Sequence, residues 1–560
     1  AYARDGNAPA SFTDAGGGGR RFTYDEGGRI TGAEWTDGTA LDFGYDAEGN
    51  LVVSQNRRGT EISYTYDAEG RLLSQSDGSS GPVAYAYDAQ GRLVSATDDR
   101  GVTEFEYDAA DRLTKITYPE GRSLAYTYNE AGLRTSMTDQ SGDALFYAYD
   151  ALGRLTGLSD AGGPIVTYAY DAAGNLVREE NGNGTVSTFA YDDAGRLTEI
   201  VNARSDGTVN SFYRYTYDAA GQRVTAESQD GTWSYGYDAI GQLTSADFVS
   251  ANPDIPDKSL VYEYDAAGNR TRTVEDGVET LYTANALNQY TQVGAETFAY
   301  DSDGNMVSRT GPSGTTTYAY DVNNRLIRVE EPDGTVHAHE YDVLGNRIAT
   351  VTDGVRTEFL VDLRGFGNVV AEYEANGTEK AEFVHGLGLT ASSTAAAEYF
   401  YDANGTWSVA GLTDASENLA RTYAYEPHGD IVGATGNVEN RFTFNGILGV
   451  SEDPDGSLFM RARNYSPDLG RFLAEEPLWY SENVGNLYEF AFNDPVGFSD
   501  PNGEWVVPFI VWGAGLVGAA YGTNEVAQEL RRRDEERGPR FTDEKGNLDP
   551  DKVIQPKVDT

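Results

Sequence analysis

Few residues in this chain have both the chemistry and the spacing of a reactive site. His337 and His339 alternate on what would be one strand face, a spacing at which two imidazoles can share a metal ion. The stretch DSDGN at 301–305 opens like a calcium loop. Gly513, Gly515 and Gly518 spell G-x-G-x-x-G after an apolar run, the form of a dinucleotide-binding turn. Each meets an objection nearby. His339 falls where the chain elsewhere carries an aromatic residue, so packing is the preferred reading. DSDGN lacks the closing glutamate at the required distance, and it and DPDGS at 453–457 read better as turns. Only 42 positions follow Gly518, too few for the other strands and helices of a nucleotide domain. His385 and His428 stand alone. Neither a cofactor nor a metal ion is expected.

The elements that would position these residues repeat one sentence. In EISYTYDAEGRLLSQ, aromatic or apolar residues alternate with polar ones, as in a strand with one buried face, and DAEG supplies a turn before the next alternating run. The spacing between successive copies is 20 or 21 residues from Tyr24 through Tyr66 and Tyr87 to Tyr191, and looser afterwards. A period this short, sustained this long, means that each copy is a β-hairpin burying its apolar face against its neighbours. Within a copy, Asp67 can accept hydrogen bonds from the turn's own amides, and Asp88 is its counterpart in the next. Gly70 supplies the positive φ that a turn followed by a bulge requires. Asn129 can replace the aspartate. Arg71 lies across the turn from Asp67, where a charge-assisted pair would pin the register. A second ring two residues before each tyrosine, as in Tyr64 before Tyr66, shares its face, so stacked hairpins are expected to form two aromatic ladders.

Composition narrows the classes of function. With 42 basic and 89 acidic residues the formal charge is -47, which repels nucleic acid, so no nucleic-acid partner is expected for the repeat. There is no cysteine, so stability comes from packing and not from disulfides or thiolate metal sites. The opening AYARDGNAPASF has neither an initiator methionine nor a basic-then-apolar leader, and reads as a fragment or mature form.

Tyr-Asp followed by Gly-Arg-Leu resembles the YD repeats of the Rhs family, of the insecticidal toxin-complex shell proteins and of animal teneurins. The resemblance implies an all-β fold, a spiralling strip of hairpins wound into a shell or barrel, with a C-terminal core plug and a short hydrophobic or helical tail. On this reading residues 1–19 are an N-terminal end, 20–350 the hairpin shell, 351–440 degenerate repeats, 441–503 the Rhs-associated core and 504–560 a tail. The core is identified by RARNYSPDLGRF, which carries Arg463, Gly470, Arg471 and Phe472, and by NLYEFAFNDPV after it.

In self-cleaving relatives this core is an intramolecular aspartyl protease that cuts just after a motif of the form P-x-x-x-x-D-P-x-G-L. The matching residues are Pro495, Asp500, Pro501 and Gly503. The resemblance therefore makes Asp500 and Glu476 the candidate catalytic carboxyls, one ionised to activate water and one protonated to polarise the peptide carbonyl. Two departures argue against the cut: Glu476 stands where the family has aspartate, and Glu504 replaces the leucine. The chain is expected to stay joined.

The run from Trp505 to Tyr521 is mainly apolar, at the lower edge of what spans a bilayer. It is expected to be sheltered by the shell, the other reading being insertion into a target membrane. The functional expectation is a secreted or cell-surface bacterial shell that encapsulates or presents its own C-terminal effector segment. Its partners would be that segment and secretion or delivery machinery. The alternative is a surface adhesion protein that binds glycans or proteins.

Overall fold

The computed structural model describes residues 2–5, 8–79, 81–365, 367–477, 485–504 and 506–508. The expected alternation is met. In strand Glu61–Tyr66, Tyr64 is buried and Tyr66 half-buried, while Ser63 and Thr65 at the alternate positions face solvent. Strands of this kind run from Tyr2–Asp5 to Ile431–Gly436 in one 42-stranded sheet, each paired antiparallel with the next in sequence. Strands Glu61–Tyr66, Leu72–Ser76, Val83–Tyr87 and Leu93–Asp98 show the pattern. Sequence neighbours are thus spatial neighbours.

Each hairpin turn is built as its residues predict. Asp67 Oδ1 accepts from the amides of Glu69 and Arg71 at 3.0 and 2.9 Å, and the Arg71 Nε donates to Asp67 Oδ2 at 2.6 Å. Gly70 has φ 80°, and the pairing register slips between Thr65 and Tyr66. Asp88 and Arg92 repeat the arrangement, with Arg92 Nε 2.6 Å from Asp88 Oδ2. Asn129 Oδ1 takes two amides at 3.0 Å, so the neutral residue does the same work.

The strip then closes on itself. Hydrogen bonds join residues separated by 274 positions at Asp14 and Asn288, 243 at Tyr118 and Val361, 222 at Tyr168 and Thr390, and 190 at Tyr215 and Gly405. The offset falls from 274 to 190 along the chain, so the strip winds more tightly towards the C-terminal end. The inner rings fill the seam. Tyr147, Tyr168 and Phe189 of one circuit pack with Phe383, Phe400 and Tyr401 of the next, and Tyr64, Tyr85 and Phe105 with Leu360 and Tyr373.

Beyond Gly436 the chain leaves the wall. Four short strands, Ser451–Glu452, Leu458–Met460, Arg463–Ser466 and Arg471–Phe472, make a separate sheet around Phe444, Tyr465, Phe472 and Phe490. This core is seated on the wall's hairpin turns: Tyr488 donates to the Gly304 carbonyl at 2.7 Å, Asn486 to Asn269 at 2.8 Å and Asn493 to the Gly268 carbonyl at 2.9 Å. A buried pair, Arg57 with Glu475 at 2.8 Å, adds a charged bolt. The dinucleotide-like glycines, the polar end and the apolar run lie outside the described residues, apart from residues 506–508 of that run.

Candidate cleavage site and its arginine clamp

Arg463 occupies a four-residue strand whose residues are all buried. Its guanidinium lies 3.5 Å from the centroid of the Phe472 ring, so its only free directions are in its own plane. All three nitrogens are used. Nη2 donates to Glu476 Oε2 at 2.7 Å and to Asp500 Oδ2 at 3.2 Å, Nε to the Gly503 carbonyl at 2.6 Å, and Nη1 to the Leu487 carbonyl at 3.0 Å. The two acids separated by 24 positions in sequence are therefore brought to one cation, and both are buried.

The far side of Asp500 holds the chain as well: its Oδ1 accepts the Glu504 amide at 2.9 Å. The peptide unit joining Gly503 to Glu504 is thus held at its carbonyl by Arg463 and at its N–H by Asp500. Gly503 is required here, with φ 72° and no room for a side chain, since a Cβ would stand 2.8 Å from the Met460 carbonyl oxygen. Pro495 and Pro501 are buried, and Arg461 donates to the Pro501 carbonyl at 2.5 Å.

A proteolytic acid pair shares one proton between its carboxyls, whereas a guanidinium bound to both favours the ionised form of each. The arrangement holds the backbone at the point where it leaves the core. The remaining motif residues serve the frame. Phe472 packs edge-on to Tyr465 and Phe490, and Arg471 stacks 3.9 Å over Tyr290 while donating to the Asn288 carbonyl at 2.6 Å. Gly470, at φ 65°, gives the Arg270 guanidinium its place, because a Cβ there would lie 2.0 Å from Nη2.

The histidines flagged by spacing are held by their neighbours. His337 meets Glu331 at 2.7 Å and Thr352 at 3.1 Å, and His339 meets Thr350 at 3.1 Å. Burial, followed by the Arg347 charge, pushes His339 down to about 3.

Two features escaped the sequence reading. The first joins hairpins: Tyr87 donates to the Leu72 carbonyl at 2.9 Å and Tyr170 to the Leu155 carbonyl at 2.7 Å, in each case 15 residues back. The second is a break in the pattern. The slot after the turn that holds Leu72, Leu93 and Leu155 holds Arg134, Arg223, Arg270 and Arg347 instead, all buried. Three of these reach across a seam: Arg134 to the Asp362 carboxylate, Arg223 to the Gly405 carbonyl at 3.1 Å and Arg347 to Asp453 at 2.6 Å. An arginine in an aliphatic slot was the available signal, although its partner lies far away in sequence.

Comparison with known proteins agrees with this architecture. The sequence matches the family model described as Teneurin YD-shell over residues 53–229 and 222–496. The tRNA3(Ser)-specific nuclease WapA of Bacillus spizizenii is 28% identical over 274 residues, which cover 47% of this chain and 11% of that protein. The double-stranded DNA deaminase toxin A of Burkholderia cenocepacia is 25% identical over 350 residues, 53% of this chain and 22% of the relative. The crystal structure of TcdB2-TccC3-TEV superposes with a TM-score of 0.73 at 19% identity, covering 86% of this chain and 28% of that one. The chain therefore spans well under a third of each relative's length.

Proposed function

The chain belongs to the teneurin YD-shell family, and from that premise we propose that it is a bacterial shell protein, secreted or displayed at the cell surface, that encloses or presents the segment following Gly503. The observation that carries this reading is the grip on the Gly503 carbonyl and the Glu504 amide by Arg463 and Asp500. It fixes the point at which the chain leaves a core that is itself bolted to the wall. Residues 504–560 then stay attached and sheltered instead of being released by self-cleavage. Effector-bearing relatives support the direction: the names of two of them denote a tRNA nuclease and a DNA deaminase toxin.

Limited proteolysis of the intact protein, with fragments mapped by mass spectrometry, tests the proposal. Sites within 505–560 should be cut at least tenfold more slowly than in the same peptide free in solution. Equal rates would place the tail outside and favour the second reading, a surface recognition protein. That reading draws on Leu152 and Ile240, which are 79% and 81% exposed at the hairpin turns.

A further inference from the structure

Of the four arginines in the aliphatic slot, Arg270 differs from its siblings. Arg134, Arg223 and Arg347 each direct a guanidinium nitrogen to a carboxylate or carbonyl across the seam. Arg270 is as deeply buried, at 4% exposure, and where each sibling leaves its Nε without an acceptor, Arg270 leaves both Nε and Nη2 without one among the described residues. Those two nitrogens form the forked edge with which arginine binds anions. The guanidinium is held in place by the Tyr262 ring, 4.9 Å from its Cζ, and by the close approach of Gly470.

The surroundings are tyrosines, Tyr264 among them bonded to the Arg270 side chain, and a buried histidine, and no carboxylate is hydrogen-bonded to the guanidinium among the described residues. His428, whose ring stands edge-on to Tyr262 at 5.0 Å, is 4% exposed, and neither ring nitrogen has a partner. Burial, with the Arg270 charge behind it, holds His428 well below the ordinary imidazole range, so it is neutral and offers one N–H. The acid that senses Arg270 is Asp430. Burial, with Asp468 and Glu426 nearby, pushes its carboxyl up to about 7, and it makes no hydrogen bond to Arg270 among the described residues. A buried cation without a hydrogen-bonded counter-charge is unfavourable, and the repeat's own leucine would have avoided it.

We infer that the seam between wall and core binds a small inorganic anion of halide size on the Nε–Nη2 edge of Arg270, beside His428. This site is independent of the Arg463 clamp and of whether the tail is enclosed. It would make the seating of the core on the wall dependent on chloride.

Bromide is the probe. Crystals of the full chain soaked in sodium bromide, measured at the bromine absorption edge, should show an anomalous peak within hydrogen-bonding distance of both Arg270 Nε and Nη2. In solution, replacing sodium gluconate by sodium chloride at constant ionic strength should raise the Tm by about 1–2 °C per tenfold increase in chloride. Arg270→Leu, which restores the usual residue of the slot, should lose that response. Absence of a bromide peak at Arg270 overturns the inference whatever the thermal data. An unchanged chloride response in Arg270→Leu overturns it as well and leaves water as the acceptor. Should the variant fail to fold, the diffraction result decides alone.

Discussion

The guanidinium of Arg71 stands over the ring of Tyr87, 5.1 Å from its centroid, one hairpin further along the strip. The same relationship recurs for Arg29 and Tyr45 at 4.7 Å, for Arg154 and Tyr170 at 4.6 Å, and for Arg325 and Tyr341 at 4.8 Å. Arg71 thus closes its own turn through Asp67 and roofs the next tyrosine, whose hydroxyl reaches back to Leu72. In each of these four pairs a stacking contact and a hydroxyl bond run between hairpins, which is why the tyrosine and the arginine travel together in the sequence.

The coupling can be measured. Tyr87→Phe should weaken its hairpin by about 1 kcal/mol through loss of the hydroxyl bond. The Arg71→Ala and Tyr87→Ala pair should show a coupling energy of about 0.5–1 kcal/mol in a double-mutant cycle. Native-state hydrogen exchange around Leu72 is the readout, because a strip of repeats opens locally before it unfolds globally. Additive effects of the two alanines would show that the stacking contributes nothing.

Across the seam, Arg134 and Asp362 form a buried pair that Tyr126 joins by donating to Asp362 Oδ1 at 2.9 Å. Arg134→Leu restores the repeat's usual residue but strands the carboxylate, and should destabilise by about 3–5 kcal/mol. Adding Asp362→Leu should recover most of that loss. Denaturant unfolding of both variants checks it, and a double variant no better than the single would mean that the pair is not the anchor.

Asp402 gives the seam a pH dependence. Burial alone pushes its carboxyl up to about 7, and Oδ2 has no partner. Because the folded value lies above the unfolded one, the folded state holds the proton more tightly. Its contribution is complete below about pH 4 and is lost as the pH rises through about 7. Wild type should therefore lose about 3–4 kcal/mol between pH 4 and pH 8 relative to Asp402→Asn, which cannot ionise. Parallel stability–pH curves for the two proteins would contradict this.

At the clamp, freshly purified wild type should give a single intact mass, with no fragment ending at Gly503 or Glu504. Arg463→Ala removes every contact that the side chain makes to Glu476, Asp500 and Gly503. It should raise protease sensitivity around 500–504 by at least tenfold while leaving the hairpin wall folded. A dominant fragment ending at Gly503 or Glu504 in wild type, abolished by Asp500→Asn, would show instead that Glu476 and Asp500 act as a protease.

The hairpin period, the Asp67–Arg71 turn and the paired rings were legible because each is set by residues close together in the chain. The bond from Tyr87 to the Leu72 carbonyl was not, since nothing in the residue types says which backbone oxygen a phenol will reach. The windings were hidden for another reason. Tyr118 and Val361 meet across 243 positions, and local alternation carries no record of such contacts. Glu476 and Asp500 were flagged through the family resemblance, but their shared partner, Arg463, appears only when the core folds.

The enclosure of the tail is the central claim, and the absence of native cysteine makes it directly measurable. A single cysteine placed in the tail by Thr523→Cys, and another at a solvent-facing turn by Glu69→Cys, can be labelled with a maleimide attached to a bulky polymer. Glu69 has 68% of its side chain exposed and sets the unhindered rate. If the shell encloses the tail, Thr523→Cys should react at least tenfold more slowly than Glu69→Cys in native protein and equally fast in denaturant. Equal rates in the native protein would contradict the account and put the segment on the outside.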